Sequence, residues 1–274
     1  MFKQLFSVLM IVRMVACLWP RSYATSSIFR AMTFNTWFCG AHVDRGPTKI
    51  AKHIEAVNPD VAALQVRYPL NYTNLYFTVF SLHLDRSNYG PFAACNKLCT
   101  DLAPIMIGEQ GTIEKPGRAR QAVELTNSEL FQSARSKSDS QPLIVMGSFN
   151  SPSGNDWTSS RKDRHCGWPH SPRQQFQWPA PQTFYAQGLE DSYTSSHGGN
   201  TWSTVDKGLP DWGYKIPLPS DRIDYILYRS SRLETYKSFT YMGHGVTANE
   251  KKPNQWHNDW PSDHKSVVTE FRIT

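Results

Sequence analysis

The chain has 274 residues, 39% of them hydrophobic, with 29 Lys and Arg against 23 Asp and Glu. No repeat or low-complexity tract interrupts it, so the composition fits one globular domain with a sizeable core and excludes a disordered chain or a repeat array. The net charge of +6 comes without a Lys/Arg block of the kind that tracks a phosphate backbone, so charge gives no support to a polyanion partner.

In chain order, Lys3, an apolar run from Leu5 to Val12, Arg13 and a second apolar patch ending near Trp19 lead to the small-residue site Ser22-Tyr23-Ala24. The run is too short and too interrupted to span a membrane. It has the three-part pattern of a secretory signal over residues 1–24, leaving a domain over 25–274 and no transmembrane segment. Losing Lys3, Arg13 and Arg21 with no acid brings the charge from +6 to +3. Secretion makes Asn71-Tyr72-Thr73 a glycosylation acceptor. Cys39, Cys95, Cys99 and Cys166 then remain, an even set that permits disulfides in any of three connectivities. A zinc site is a weaker alternative, because Cys95 and Cys99 have no second pair at ligand spacing.

Ala31 to Trp37 reads as a buried strand, Lys49 to Val57 as a helix stopped by Asn58-Pro59-Asp60, and Val61 to Val66 as the next strand. Leu75 to Leu82 is a β-rich run leading into His83-Leu84-Asp85, followed by helical stretches over Ala93 to Ile107 and Arg118 to Ala134. Pro142 to Met146 is an apolar strand ending at Gly147-Ser148-Phe149-Asn150. Residues 151–220 are rich in Pro, Ser, Trp and Gly and read as loop, with short elements at Trp157 to His165 and Gly188 to Tyr193. Strands at Arg222 to Tyr228, Leu233 to Tyr241 and Ser266 to Ile273 close the chain. Helices alternating with strands early and strands dominating late give an α/β class, a layered sandwich.

Polar residues recur at the strand ends, where α/β sheets form their ligand crevice: Asn35, His83, Asn150, Asp224 inside Arg222-Ile223-Asp224-Tyr225-Ile226, and Ser262-Asp263-His264 before the last strand. Singly, an Asn at such a place caps a turn and a His is an ordinary polar residue. Asp224 in an apolar strand is harder to dismiss, since a buried carboxylate needs a partner.

Thr33-Phe34-Asn35, Asn58-Pro59-Asp60 through Leu64-Gln65, Ser81-Leu82-His83-Leu84-Asp85, Gly147-Ser148-Phe149-Asn150, Gly188 to Tyr193, Thr201-Trp202, Arg222 to Ile226 and Ser262-Asp263-His264 form, in this order, a set that resembles the endonuclease/exonuclease/phosphatase superfamily over about residues 31–273. The resemblance implies a DNase I-like sandwich and Mg²⁺-assisted hydrolysis of a phosphodiester of undefined class. It places Asn35 and Asn150 at the phosphate, His264 oriented by Asp224 at the developing charge, His83 as a further phosphate-facing or acid group, and Asp263 beside the metal.

Two positions depart from the pattern. Val66 stands where the family has the glutamate that is its principal metal ligand, and Ser148 where it has the aspartate that activates water. The interval between the second strand and the His strand, residues 67–80, is also shorter than in the family by on the order of fifty residues. It marks either loss of part of the first sheet or a skipped exon. Asp60, Asp85, Asp156, Glu190 and Asp191 are the acids available to compensate. The expectation is a scaffold with impaired or no hydrolysis and weak or no Mg²⁺ binding; the alternative is a working hydrolase with a rearranged metal site. The tryptophans, Trp178 and Trp260 among them, read as packing and surface anchors before base- or lipid-stacking groups.

Overall fold

The computed structural model describes residues 28–36, 38–41, 43–64, 68–72, 75–86, 109–112, 115–153, 177–193, 222–243, 259–262 and 264–274. The expected elements at Ala93 to Ile107 and Trp157 to His165, with Cys95, Cys99 and Cys166, lie outside these residues.

The chain runs β1 (Ile28–Thr33), a 3-10 turn (Phe38–Gly40), α1 (Gly46–Val57), β2 (Val61–Ala63), β3 (Tyr68–Tyr72), β4 (Leu75–His83), α2 (Arg118–Asn127), α3 (Glu129–Ser136), β5 (Leu143–Ser148), α4 (Pro179–Tyr185), β6 (Glu190–Asp191), β7 (Asp224–Arg229), β8 (Leu233–Tyr241) and β9 (Ser266–Ile273). One sheet has the order β2-β1-β9-β8 and the second β3-β4-β5-β7-β6. Both are mixed: β1–β2 and β4–β5 are parallel, the other pairs antiparallel.

Period-two alternation divides each strand between two cores. Phe29, Ala31, Val267 and Phe271 of the first sheet meet Phe77, Val79, Ile144, Met146 and Ile226 of the second, with the rings of Phe29 and Phe77 stacked at 4.4 Å. The intervening residues of the first sheet, Met32, Phe34 and Val268, pack with Ile50 and Val57 of α1. Those of the second, Phe80, Leu82, Val145 and Leu227, pack with Ala122, Phe131 and Phe184 of α2, α3 and α4. Helix, sheet, sheet, helix is the layered α/β sandwich expected.

Several boundaries differ from the sequence reading. The strand of β1 ends at Thr33, short of Trp37, because the backbone turns into the 3-10 segment, where Gly40 N donates to Thr36 O. The helix expected over Arg118 to Ala134 breaks at Ser128, whose extended backbone (φ −66, ψ 141) and side-chain oxygen, accepting from Phe131 N at 3.3 Å, cap a new helix. Within the stretch read as loop, Pro179 opens α4; proline suits the first turn, where an N–H would have no partner. The short interval after β2 holds β3, which pairs with β4 and so adds to the second sheet, leaving the three-residue β2 at the edge of the first. Cys39, exposed in the 3-10 turn, has a free thiol. Among the described residues no helix is long and apolar enough to cross a membrane.

His53, on the inner face of α1, is fully buried. Its Nδ1 lies 3.2 Å from the Tyr241 hydroxyl, its Nε2 3.2 Å from Asp259 O and 3.3 Å from Asp259 Oδ2, and its ring meets Trp260 edge-on at 4.8 Å. Burial pushes its pKa below the ordinary 6.5; the Asp259 carbonyl and carboxylate oppose the shift, while Lys52 adds to it. The native state therefore favours the neutral ring. Stability from His53 is complete above pH 6.5, where the unfolded ring is neutral too, and is lost as the pH falls from there toward the folded value. Urea midpoints are expected to drop between about pH 7.5 and about pH 5, and to drop less in His53→Gln, which cannot charge.

Candidate active site

The cleft is built on one row of the second sheet. His83 of β4 pairs with Ser148 of β5, and Ser148 with Asp224 of β7. Residues in register share a face, and two positions before Ser148 on β5 and two after Asp224 on β7 stand Met146 and Ile226 of the inter-sheet core, so the row looks toward the first sheet. From that sheet, β1 continues past buried Thr33 to Asn35, and β9 is preceded by His264.

Hydrogen bonds join the two sides. His264 Nδ1 lies 2.8 Å from Asp224 Oδ2 and its Nε2 3.4 Å from Asn35 Nδ2. An amide nitrogen only donates, so Nε2 accepts and the ring proton sits on Nδ1, facing the carboxylate. The backbone of His264 is held as well: its N donates to Ser262 Oγ at 3.1 Å, and its O accepts from Trp260 Nε1 at 2.8 Å. Ser262 Oγ in turn donates to Asn35 O at 2.5 Å. Trp260, stacked on Phe34 at 4.8 Å, is thus a packing and positioning group, and Trp178 is buried in the fold.

On the far side, Asn150 adopts the left-handed conformation (φ 50) that Asn tolerates better than most residues, and its Nδ2 donates to Leu84 O at 2.8 Å. Gly147 (φ 147) lets β5 approach β4 here; a Cβ would collide with the Leu82 carbonyl. His83, at the rim, has its pKa lowered by partial desolvation of its ring and then by the charge of His264, with Asp224 opposing.

Asn35, His83, Asp224 and His264 therefore converge with Ser148, and Asn150 is tied to the residue following His83. Val66 and Asp263 lie outside the described residues. Three of the acids named as substitutes are committed elsewhere. Asp60 accepts from Arg30 N at the far end of β1, Glu190 from the Tyr228 hydroxyl, and Asp191 forms a buried ion pair with Arg222 at 2.6 Å. Asp85 stays beside the cleft, two residues past His83, and Asp156 lies outside the described residues.

Ser148 is 2% exposed, and its Oγ has no hydrogen-bond partner; nor does Asp224 Oδ1. The donor set formed by the described residues is thus two imidazoles, two amides, one hydroxyl and two carboxylates, Asp224 already bonded to His264 and Asp85 at the side. Mg²⁺ takes oxygen ligands, carboxylates foremost, in an octahedral shell, and this set does not fit it. Among the described residues no group of three or more His, Cys, Asp or Glu is placed to hold a metal ion.

Comparison with known proteins assigns the chain to a family. The model of the Endonuclease/Exonuclease/phosphatase family matches residues 66–264, and the chain belongs to that family. It is 33% identical to the uncharacterized protein F14F9.5 of Caenorhabditis elegans over 318 aligned positions, 96% of this chain and 97% of that one. That alignment is longer than the 274-residue chain, so the relative carries residues that this chain lacks. Among solved structures, the chain is similar to truncated TDP2 of Caenorhabditis elegans (10% identical, TM-score 0.48, 90% of this chain and 98% of that one). It is also similar to an endonuclease/exonuclease/phosphatase family protein from Leptotrichia buccalis C-1013-b (16% identical, TM-score 0.39, 76% of this chain), of which it spans 53%. These likenesses place no individual residue.

Removing the Ser148 hydroxyl deletes a buried group that makes no bond, so Ser148→Ala is expected to change stability by less than about 0.5 kcal/mol or to raise it. Ser151→Ala, which deletes a hydroxyl donating to Glu109 Oε1 at 3.1 Å, is expected to cost roughly 1–2 kcal/mol. Urea unfolding of the two variants checks the contrast.

Proposed function

We propose that this chain is a secreted member of the family that binds a phosphodiester-containing ligand in the cleft and hydrolyses it slowly or not at all. The observation that carries the reading is Ser148, seated between His83 and Asp224 in the row. A water activated there needs a group that takes its proton, and a hydroxyl does not do so near neutral pH. Loss of a general base costs about 10²–10⁴ in rate, and loss of a metal's charge neutralisation several kcal/mol more, where each ~1.4 kcal/mol is tenfold. Because the two act as a unit, the losses do not simply add.

The remaining groups support binding. Asn35 and His264 are pinned at the cleft wall, and His83 stands at its rim. The ordered Asp224–His264 pair favours a second reading, a working hydrolase whose metal is held by Asp263 and a further acid.

Initial rates against Mg²⁺ concentration, on plasmid DNA, sphingomyelin and a generic diester, separate the readings. The unmodified chain is expected to give no metal-dependent turnover. Val66→Glu with Ser148→Asp is expected to recover metal affinity more than rate, since carboxylates rebuild a metal site without the cleft wall that orients substrate. Robust turnover by the unmodified chain that vanishes in His264→Ala would establish the hydrolase.

Secretion rests on the leader pattern of residues 1–24. N-terminal sequencing and intact mass of protein exported from eukaryotic cells are expected to give a start near Thr25 and a glycan on Asn71. A soluble cytosolic product retaining Met1 would refute it.

A further inference from the structure

Glu109 and Arg118 form an ion pair, Nε to Oε1 at 2.8 Å, and neither side chain reaches solvent. Burying two charges is costly, and an apolar pair of the same volume commonly serves stability as well. What distinguishes this pair is where its other contacts go. Glu109 Oε1 also accepts from Ser151 Oγ at 3.1 Å, and Oε2 from Ala180 N, in the first turn of α4, at 3.2 Å. Arg118 Nη1 donates to Asp85 O at 3.2 Å, while Asp85 N donates to Gln121 Oε1, on the same helix, at 2.7 Å. Ser151 follows Asn150, and Asp85 lies two residues past His83. The bond from Asn150 Nδ2 to Leu84 O closes the ring between the two strand ends.

We propose that the Glu109–Arg118 pair is a positioning device for the cleft, setting the distance between the His83 strand end and the Asn150 strand end at which an anionic ligand is held. Glu109 acts through Ser151 on the Asn150 turn, and Arg118 through Asp85 on the His83 strand. Neither is a catalytic residue. The positioning holds whether the cleft hydrolyses or only binds, and only the ligand arm of the test rests on the function proposed above.

The test is two-dimensional NMR of the mature full-length chain, following the His83 and His53 rings and the Asn150 carboxamide, with inorganic phosphate as the probe anion. Arg118→Lys keeps the charge but loses the planar fork, and is expected to move the His83 titration midpoint and leave His53 in place. Ser151→Ala is expected to move the Asn150 carboxamide signals. Glu109→Gln is expected to move both and to weaken phosphate binding about tenfold, the size of one charge-assisted hydrogen bond. Variants that lower the unfolding midpoint while leaving the His83 and Asn150 signals unmoved would overturn the proposal and make the pair structural only. If the unmodified chain binds no phosphate, the ligand-binding reading fails, and the His83 and Asn150 shifts still decide this one. If Glu109→Gln does not fold, Arg118→Lys and Ser151→Ala decide it by themselves.

Discussion

The hydrogen bond between Asp224 and His264 joins the two sheets at the candidate site. Asp224 enters β7 at its first position, in the row facing the opposite sheet, where a carboxylate has no water to satisfy it. A buried charge of that kind needs a partner, and His264 supplies one from the first sheet. The rest of the wall follows from holding that ring still. Ser262 fixes the amide of His264 and ties it to Asn35, and Trp260 fixes the carbonyl while wedged among Phe34, His53 and Tyr241. A bond between two residues forty positions apart thus ties the sheets together at the candidate site.

The opposite wall is held by different means. Glycine at 147, a left-handed Asn150 and the buried Glu109–Arg118 pair bring the ends of β4 and β5 together without any contact to His264 that these bonds require. Between the walls lies Ser148, the one buried member of the row with nothing to bond. The frame of the site and the groups within it are separable layers, because the first depends on backbone register and the second on single side chains.

Much of this was legible from the chain. The limits of β8 and β9 follow from alternating apolar residues bounded by turn-forming ones, and the convergence of Asn35, His83, Asp224 and His264 follows from their places at strand ends. Less legible was anything decided by distant packing. Local pattern gives no sign of the roles of His53, Glu109 and Arg118; each is buried because an element far along the chain closes over it. The break at Ser128 carried a local signal, a serine three residues before Phe131 with Glu129 in the first turn, which the continuous helical pattern around it concealed. The prolines of residues 151–220 suggest loop throughout, yet those at 179 and 181 lie in the first turn of a helix.

The four edge strands among the described residues carry a consequence for the chain's behaviour in concentrated solution. Open edges present unpaired amides and carbonyls that template pairing with another copy. Here β2 has three residues and β6 two, too short to recruit a neighbour. The β8 edge shifts register between Thr235 and Lys237, which twists it out of line. Strand β3 contains Pro69, which has no N–H to offer and is tolerated only because no further strand lies beyond it. Shortness, a register shift and a proline between them blunt the four edges, so two open sheets can be held in concentrated solution without stacking into a shared ladder.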